Sequence, residues 1–96
     1  MKTASDTARL LRIHGSVQGV GYRNAFHAQA LHLGLAGWVR NRSDGTVEAL
    51  VAGPAAAIDT IIEWARRGPP AARVSRVEWE TVDPPESLVF SRADTV

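Results

Sequence analysis

The chain has 96 residues, which suits a single domain. Hydrophobic residues make up 45% of it and charged residues 22%, proportions that argue against disorder. Its formal net charge of +1 provides no broad positive field for nucleic acid or an acidic membrane, and the absence of cysteine excludes disulfides and thiolate chemistry. We therefore expect one domain over residues 1–96, with a core over about 9–92, and an anion site only where a few groups cluster.

The location in the cell is inferred from what the sequence lacks. No apolar run approaches the roughly 20 residues that span a bilayer. The segment Met1–Ala8 has no apolar stretch of the kind found in a signal peptide. These features predict a cytoplasmic protein with no membrane contact.

In the first half of the chain, hydrophobic periodicity predicts a strand, a helix and a second strand. Arg9–Ser16 alternates between two faces, as a strand does. After the glycine-rich stretch Gly15–Gly21, apolar residues at steps of three and four predict a helix over about Tyr22–Leu33. Gly34 stands where a C-terminal glycine cap belongs, and Ala36–Asn41 is the second predicted strand.

In the second half of the chain, the sequence predicts a hairpin turn, a strand, a helix and two further strands. The dipeptide Asp44–Gly45 is typical of a tight turn and leads into a predicted strand over Thr46–Ala52. A second helix is predicted from near Pro54, a favoured first-turn residue, to the Gly-Pro-Pro segment at 68–70. Two more strands are predicted, over Arg73–Glu80 and, briefly, over Leu88–Ser91.

This order of elements is strand, helix, strand, strand, helix, strand. In so short a chain it predicts an α+β fold, the ferredoxin-like βαββαβ sandwich, in which two helices cover one face of an antiparallel sheet. The usual sheet order for this arrangement is 4-1-3-2. Strands one and two then run in the same direction on either side of strand three, and both end at the edge where the first helix begins.

The glycine-rich stretch is a candidate phosphate site. Its glycines allow a tight turn that points several backbone N–H groups inward, next to a helix N-terminus, and such an arrangement binds anions. It does not fit a Walker A loop, which ends in Gly-Lys-Ser/Thr. The alternative is an ordinary strand-to-helix turn. The candidate phosphate-binding residues are Ser16, Val17, Gln18, Gly19, Val20, Gly21, Tyr22 and Arg23.

Arg23 and Asn41 are the candidate catalytic residues. Arg23 lies in the first turn of the predicted helix, where a positive charge opposes the helix dipole unless an anion binds beside it. A guanidinium can hold two phosphate oxygens with parallel hydrogen bonds, although a solvated surface arginine is the alternative. Asn41 ends the second strand at the same sheet edge, where its carboxamide could orient a water; it could equally cap the hairpin.

Two segments carry a family resemblance. Residues Ile13–Arg23 resemble the first signature of the acylphosphatase family, and Gly37–Gly53, which contains Gly-Trp-Val-Arg-Asn, resemble the second. Together with the element order, the resemblance covers roughly Arg9–Arg92. Tyr22 stands where many members have phenylalanine, so an aromatic ring is kept.

The resemblance implies hydrolysis of acyl phosphates to a carboxylate and inorganic phosphate, without a metal or other cofactor. It implies that Arg23 and the amides of Ser16–Tyr22 bind the phosphoryl group and that Asn41 positions the attacking water. The partners expected are a small acyl phosphate and inorganic phosphate as product and inhibitor. We expect no nucleic acid partner and a monomer.

Two other functions are compatible with this fold. One is a non-catalytic anion-binding or regulatory domain that keeps the glycine-rich stretch. The other is an RNA-binding module, against which stands the absence of an aromatic residue from Thr46–Ala52. His14 adjoins the glycine-rich stretch, but a polar position on the sheet face suits it better than a role as base.

Overall fold

Five strands form one sheet, and two helices pack against it. The computed structural model describes residues 6–96. In chain order the elements are β1 (Asp6–Ser16), α1 (Tyr22–His32), β2 (Ala36–Asn41), β3 (Val47–Pro54), α2 (Ala55–Arg67), β4 (Arg73–Val82) and β5 (Phe90–Arg92). The ferredoxin-like βαββαβ prediction is confirmed, and β2 has the predicted bounds.

The sheet order is β4-β1-β3-β2-β5, which contains the predicted order 4-1-3-2 and adds one strand at the edge. β1 pairs antiparallel with β3 and β4, and β2 pairs antiparallel with β3. β5 departs from the antiparallel prediction because it pairs parallel with β2, so the sheet is mixed. The reason is topological: β4 ends at the sheet edge where β2 begins, and a strand added beside β2 from there must run the same way.

One face of the sheet carries the hydrophobic core. Alternate residues of the three central strands point toward the helices, and their side chains are fully buried because α1 and α2 cover them. Phe26 of α1 and Ile61 of α2 fill the space above them and are also fully buried. The central-strand residues of this core are Leu11, Ile13, Val39, Val47, Ala49 and Val51.

The other face is polar and centred on Glu48, which is only 5% exposed. Its carboxylate accepts hydrogen bonds from Arg40 at 2.9 Å and from Arg42 at 3.1 Å, and Arg12 lies 3.4 Å away. Burial alone would raise the pKa of Glu48, but the hydrogen bonds and charges of Arg40 and Arg42 outweigh it and hold the pKa below its ordinary value. We call this cluster, completed by Asp44, the ionic layer.

Specific hydrogen bonds end α1 and connect it to α2. Gly34, with φ of 70°, ends α1 as predicted, and the N–H groups of Gly34 and Leu35 donate to the carbonyls of Leu31 and Ala30. The Tyr22 hydroxyl donates to the Ala65 carbonyl in the last turn of α2, at 2.8 Å. Neither helix of residues 6–96 has the length and apolar content that crossing a bilayer requires.

Candidate functional site

The glycine loop, which we define as residues 15–21, begins at an irregularity in β1. The register between β1 and β4 shifts between His14 and Gly15. At Gly15 φ is 125°, and a Cβ there would lie 2.1 Å from the Arg73 carbonyl oxygen, so no side chain fits. The bulge turns the chain away from β3 and starts the loop.

Most backbone donors of the loop have no partner among the described residues. Within residues 6–96, the N–H groups of residues 17–21 donate to no backbone or side-chain acceptor. Gly19 and Gly21 have φ of 75° and 78°, values that let the loop curve back on itself and that other residues rarely adopt. A curved run of unpaired amides of this kind is suited to surrounding an anion.

The start of α1 strengthens this positive environment. Gly21 is the N-cap and supplies no side-chain acceptor, and the first turn contains no acidic residue. The first N–H groups of any α-helix have no intrahelical partner, and here no capping side chain replaces it. Arg23 is the second helical residue, and its Nε is buried without a hydrogen-bond partner. A buried donor is costly when unpaired, so a bound acceptor would stabilise this arrangement.

Arg23 and Asn41 line the same cavity. Its volume is about 240 Å³. Its walls contain no carboxylate, and Asn41 reaches it because β1 and β2, both antiparallel to β3, end at the same edge of the sheet. The lining residues are Val17, Gly19, Gly21, Tyr22, Arg23, Asn24 and Asn41.

The other predicted loop residues take different positions. Ser16, Gln18 and Val20 are not among the residues that line the cavity. Asn24 lines it although the sequence analysis did not select it; its position one residue after Arg23, in the first helical turn, was the only available signal. The amides of Ser16, Gln18 and Val20 stay a prediction as phosphate contacts.

Asn41 does not cap the hairpin. The Asp44 carboxylate fills that role, accepting from the Thr46 N–H at 3.0 Å and from the Thr46 hydroxyl at 2.6 Å. These bonds lower the pKa of Asp44. In the part of the chain that the structure describes, the Asn41 carboxamide has no hydrogen-bond partner, which leaves it available to a water in the cavity.

His14 lies outside the cavity, on the polar face of the sheet. Its Nε2 is 2.6 Å from an oxygen of Glu78. This hydrogen bond, helped by the charge of Arg76, lowers the pKa of Glu78. His14 therefore lies on the sheet face, as predicted. Its side chain pairs with the Glu78 carboxylate and does not line the cavity of Arg23 and Asn41.

Two other cavities of the described residues are less suited to an anion. One, of about 550 Å³, is lined mainly by small and apolar residues and by Glu86, and no described arginine or lysine lines it. The cavity on the polar face has a volume of about 380 Å³, but Glu48, Glu78 and Glu80 line it. Among residues 6–96, no three histidine, aspartate or glutamate side chains gather in a group that could hold a metal ion.

Arg12 and Arg42 on the polar face also have a buried Nε without a hydrogen-bond partner among the described residues, but both already pair with the carboxylate of Glu48. Within residues 6–96, the cavity at the glycine loop has no carboxylate in its lining, which makes it the better candidate for an anion.

Comparison with known proteins gives a consistent result. A family model described as acylphosphatase matches residues 10–91. An acylphosphatase from Azoarcus sp. (strain BH72) is 62% identical over 58 residues, which are 60% of this chain and 59% of that protein. The chain therefore spans about three fifths of the length of this curated relative.

Solved structures extend the similarity over nearly the full chain. An acylphosphatase from Coxiella burnetii is 36% identical, with a TM-score of 0.89, covering 93% of this chain and 94% of its own. One from Bacillus subtilis is 34% identical, with a TM-score of 0.86, covering 91% and 98%. The matched residues include the glycine loop, Arg23 and Asn41, and the chain belongs to the acylphosphatase family.

Proposed function

We propose that this protein hydrolyses acyl phosphates to a carboxylate and inorganic phosphate. The observation that carries the proposal is one small cavity, without a carboxylate in its lining, that Arg23, Asn41 and residues of the glycine loop line together. The N–H groups of residues 17–21 in this loop have no partner among the described residues. Membership of the acylphosphatase family supports the same reaction.

The proposed phosphate site combines Arg23 with the glycine loop. The guanidinium binds two oxygens of the phosphoryl group, and the amides of residues 16–22 surround the others. The unpaired Arg23 Nε and the uncapped start of α1 support this role, because both need an acceptor that the described residues do not supply. As the P–O bond breaks, these donors stabilise the charge on the phosphoryl oxygens.

The proposed role of Asn41 is to orient the attacking water. The carboxamide oxygen accepts a hydrogen bond from the water and directs its lone pair toward phosphorus, opposite the acyl oxygen. The new O–P bond forms as the bond to the acyl oxygen breaks, and the electron pair leaves with the carboxylate. A proton of the attacking water passes to a phosphoryl oxygen, which completes inorganic phosphate. Since a carboxylic acid has a pKa near 4, this leaving group departs without protonation by the protein.

These groups also account for the other expected properties. Positioning and charge stabilisation suffice for a reactive anhydride, so the proposed mechanism uses no metal or cofactor. Inorganic phosphate fits the same site and should inhibit competitively.

The test is hydrolysis of an aromatic acyl phosphate, followed by absorbance with EDTA present, by wild type, Arg23→Gln and Arg67→Gln. Arg67 is an exposed residue at the end of α2 and serves as the matched control. We expect rapid turnover by wild type and Arg67→Gln, and a loss of about 100-fold to 1,000-fold in Arg23→Gln. Folded wild type without turnover, or an unaffected Arg23→Gln, would refute the proposal.

A further inference from the structure

The side chain of Gln18 connects the glycine loop to the β2–β3 hairpin. Its Nε2 donates to the Arg42 carbonyl at 2.7 Å and to the Thr46 carbonyl at 2.9 Å. Both hydrogens of the carboxamide are therefore used in holding the hairpin, and none is directed at the cavity. The side-chain amide of Gln18 therefore holds the hairpin and does not donate to a phosphate in the cavity.

The two carbonyls that Gln18 contacts define the hairpin turn. The Arg42 carbonyl also accepts from the Gly45 N–H, and the Thr46 carbonyl also accepts from the Arg42 N–H. Because Arg42 directly follows Asn41, the Gln18 amide is fixed to the chain one residue beyond the proposed water-orienting side chain. The neighbours of Gln18 in the loop, Val17 and Gly19, line the cavity.

No other side-chain hydrogen bond among residues 6–96 joins the loop to the hairpin. The backbone pairing of β1 with β3 ends at Ile13 and Val47, because the bulge at Gly15 turns the loop away from β3. Gln18 thus provides the connection that the sheet no longer supplies at this end of the cavity.

We propose that Gln18 is a positioning residue that sets the distance between the phosphate-holding loop and Asn41. The inference rests on the proposed function. Phosphate binding depends on the loop amides and Arg23, whereas attack also requires Asn41 at the correct separation. A misplacement of about 1 Å can cost on the order of 100-fold in rate. Losing Gln18 should therefore lower kcat more than it weakens phosphate binding.

The experiment measures kcat and the inhibition constant of inorganic phosphate for Gln18→Ala, Asn41→Ala and the double variant. Gln29→Ala in α1 is the matched control, since within residues 6–96 its side chain makes no hydrogen bond. Gln18→Met, which keeps the length of the side chain and removes both donors, replaces Gln18→Ala if unfolding curves show that variant to be unfolded.

We expect Gln18→Ala to lower kcat by about 10-fold to 100-fold while the phosphate inhibition constant changes less than about threefold. If Gln18 acts through Asn41, adding Gln18→Ala to Asn41→Ala should cost little more. A kcat equal to that of wild type, an equal loss in phosphate affinity, or fully multiplicative effects in the double variant would each overturn the positioning role. Wild type without turnover would instead refute the proposed function itself.

Discussion

At the scale of single residues, Arg23 occupies a position that is unfavourable without a ligand. It lies beside the positive end of α1, in a turn with no acidic residue, and its Nε has no partner. The sequence predicts this conflict, because the glycine-rich stretch and the helix start are both visible in it. The hydrogen-bond partners of the Gln18 side-chain amide were not predictable, because they are carbonyls 24 and 28 residues further along the chain.

Tyr22 shows how a single hydroxyl can serve the fold beside the site. Its ring is buried against Phe26 and Trp64, and its hydroxyl donates to the Ala65 carbonyl, one of the last four in α2 that lack an intrahelical partner. Burial raises the pKa of Tyr22, so the hydroxyl stays protonated and continues to donate.

Tyr22→Phe should therefore destabilise the protein. The substitution keeps the ring but leaves the buried Ala65 carbonyl unpaired, which we expect to lower the free energy of unfolding by about 1–2 kcal/mol. Chemical denaturation of both proteins measures the difference. A variant as stable as wild type would contradict the assigned hydrogen bond.

At the scale of elements, the ionic layer joins the three central strands on the face without helices. Glu48 of β3 lies opposite Arg12 of β1 and Arg40 of β2, and it pairs with both. Alternation in β1 predicted that its successive residues lie on opposite faces of the sheet. It did not predict the burial of Glu48, because that results from three arginine side chains lying over one carboxylate.

Glu48→Gln should cost stability in a pH-dependent way. The folded-state pKa of Glu48 is depressed, so its contribution is complete above the unfolded value of about 4.3 and is lost as the pH falls below it. We expect the variant to be about 2 kcal/mol less stable at pH 7, because three partly exposed arginines lose the charged acceptor that they share. The difference should shrink as the pH falls from about 4.3 toward the lower folded-state pKa.

Denaturant unfolding at several pH values tests this, with Glu63→Gln as the control. Glu63 is an exposed residue of α2 that pairs only with Arg66 among the described residues, so its replacement should have little effect at any pH. A stability difference for Glu48→Gln that is absent at pH 7, or unchanged at pH 3, would show that the ionic layer does not hold the strands together.

At the scale of the whole molecule, topology brings the site together. β1 and β2 are separated by α1 in sequence and by β3 in the sheet. Both nevertheless end at one edge of the sheet, because each is antiparallel to β3. The order of elements predicted this convergence. The short last strand predicted over Leu88–Ser91 is present as β5, shifted to Phe90–Arg92, but its parallel pairing with β2 was not predicted, because three residues carry little pattern of their own.

The central claim is that the glycine loop and Arg23 form the anion site, and phosphate titration followed by ¹H–¹⁵N NMR tests it most directly. The account predicts saturable amide shifts concentrated in residues 16–24 and at Asn41, and their loss in Arg23→Gln. The competing location is the ionic layer, which has three arginines of its own. Shifts centred on Arg12, Arg40 and Arg42, or the same loop shifts in Arg23→Gln, would contradict the account.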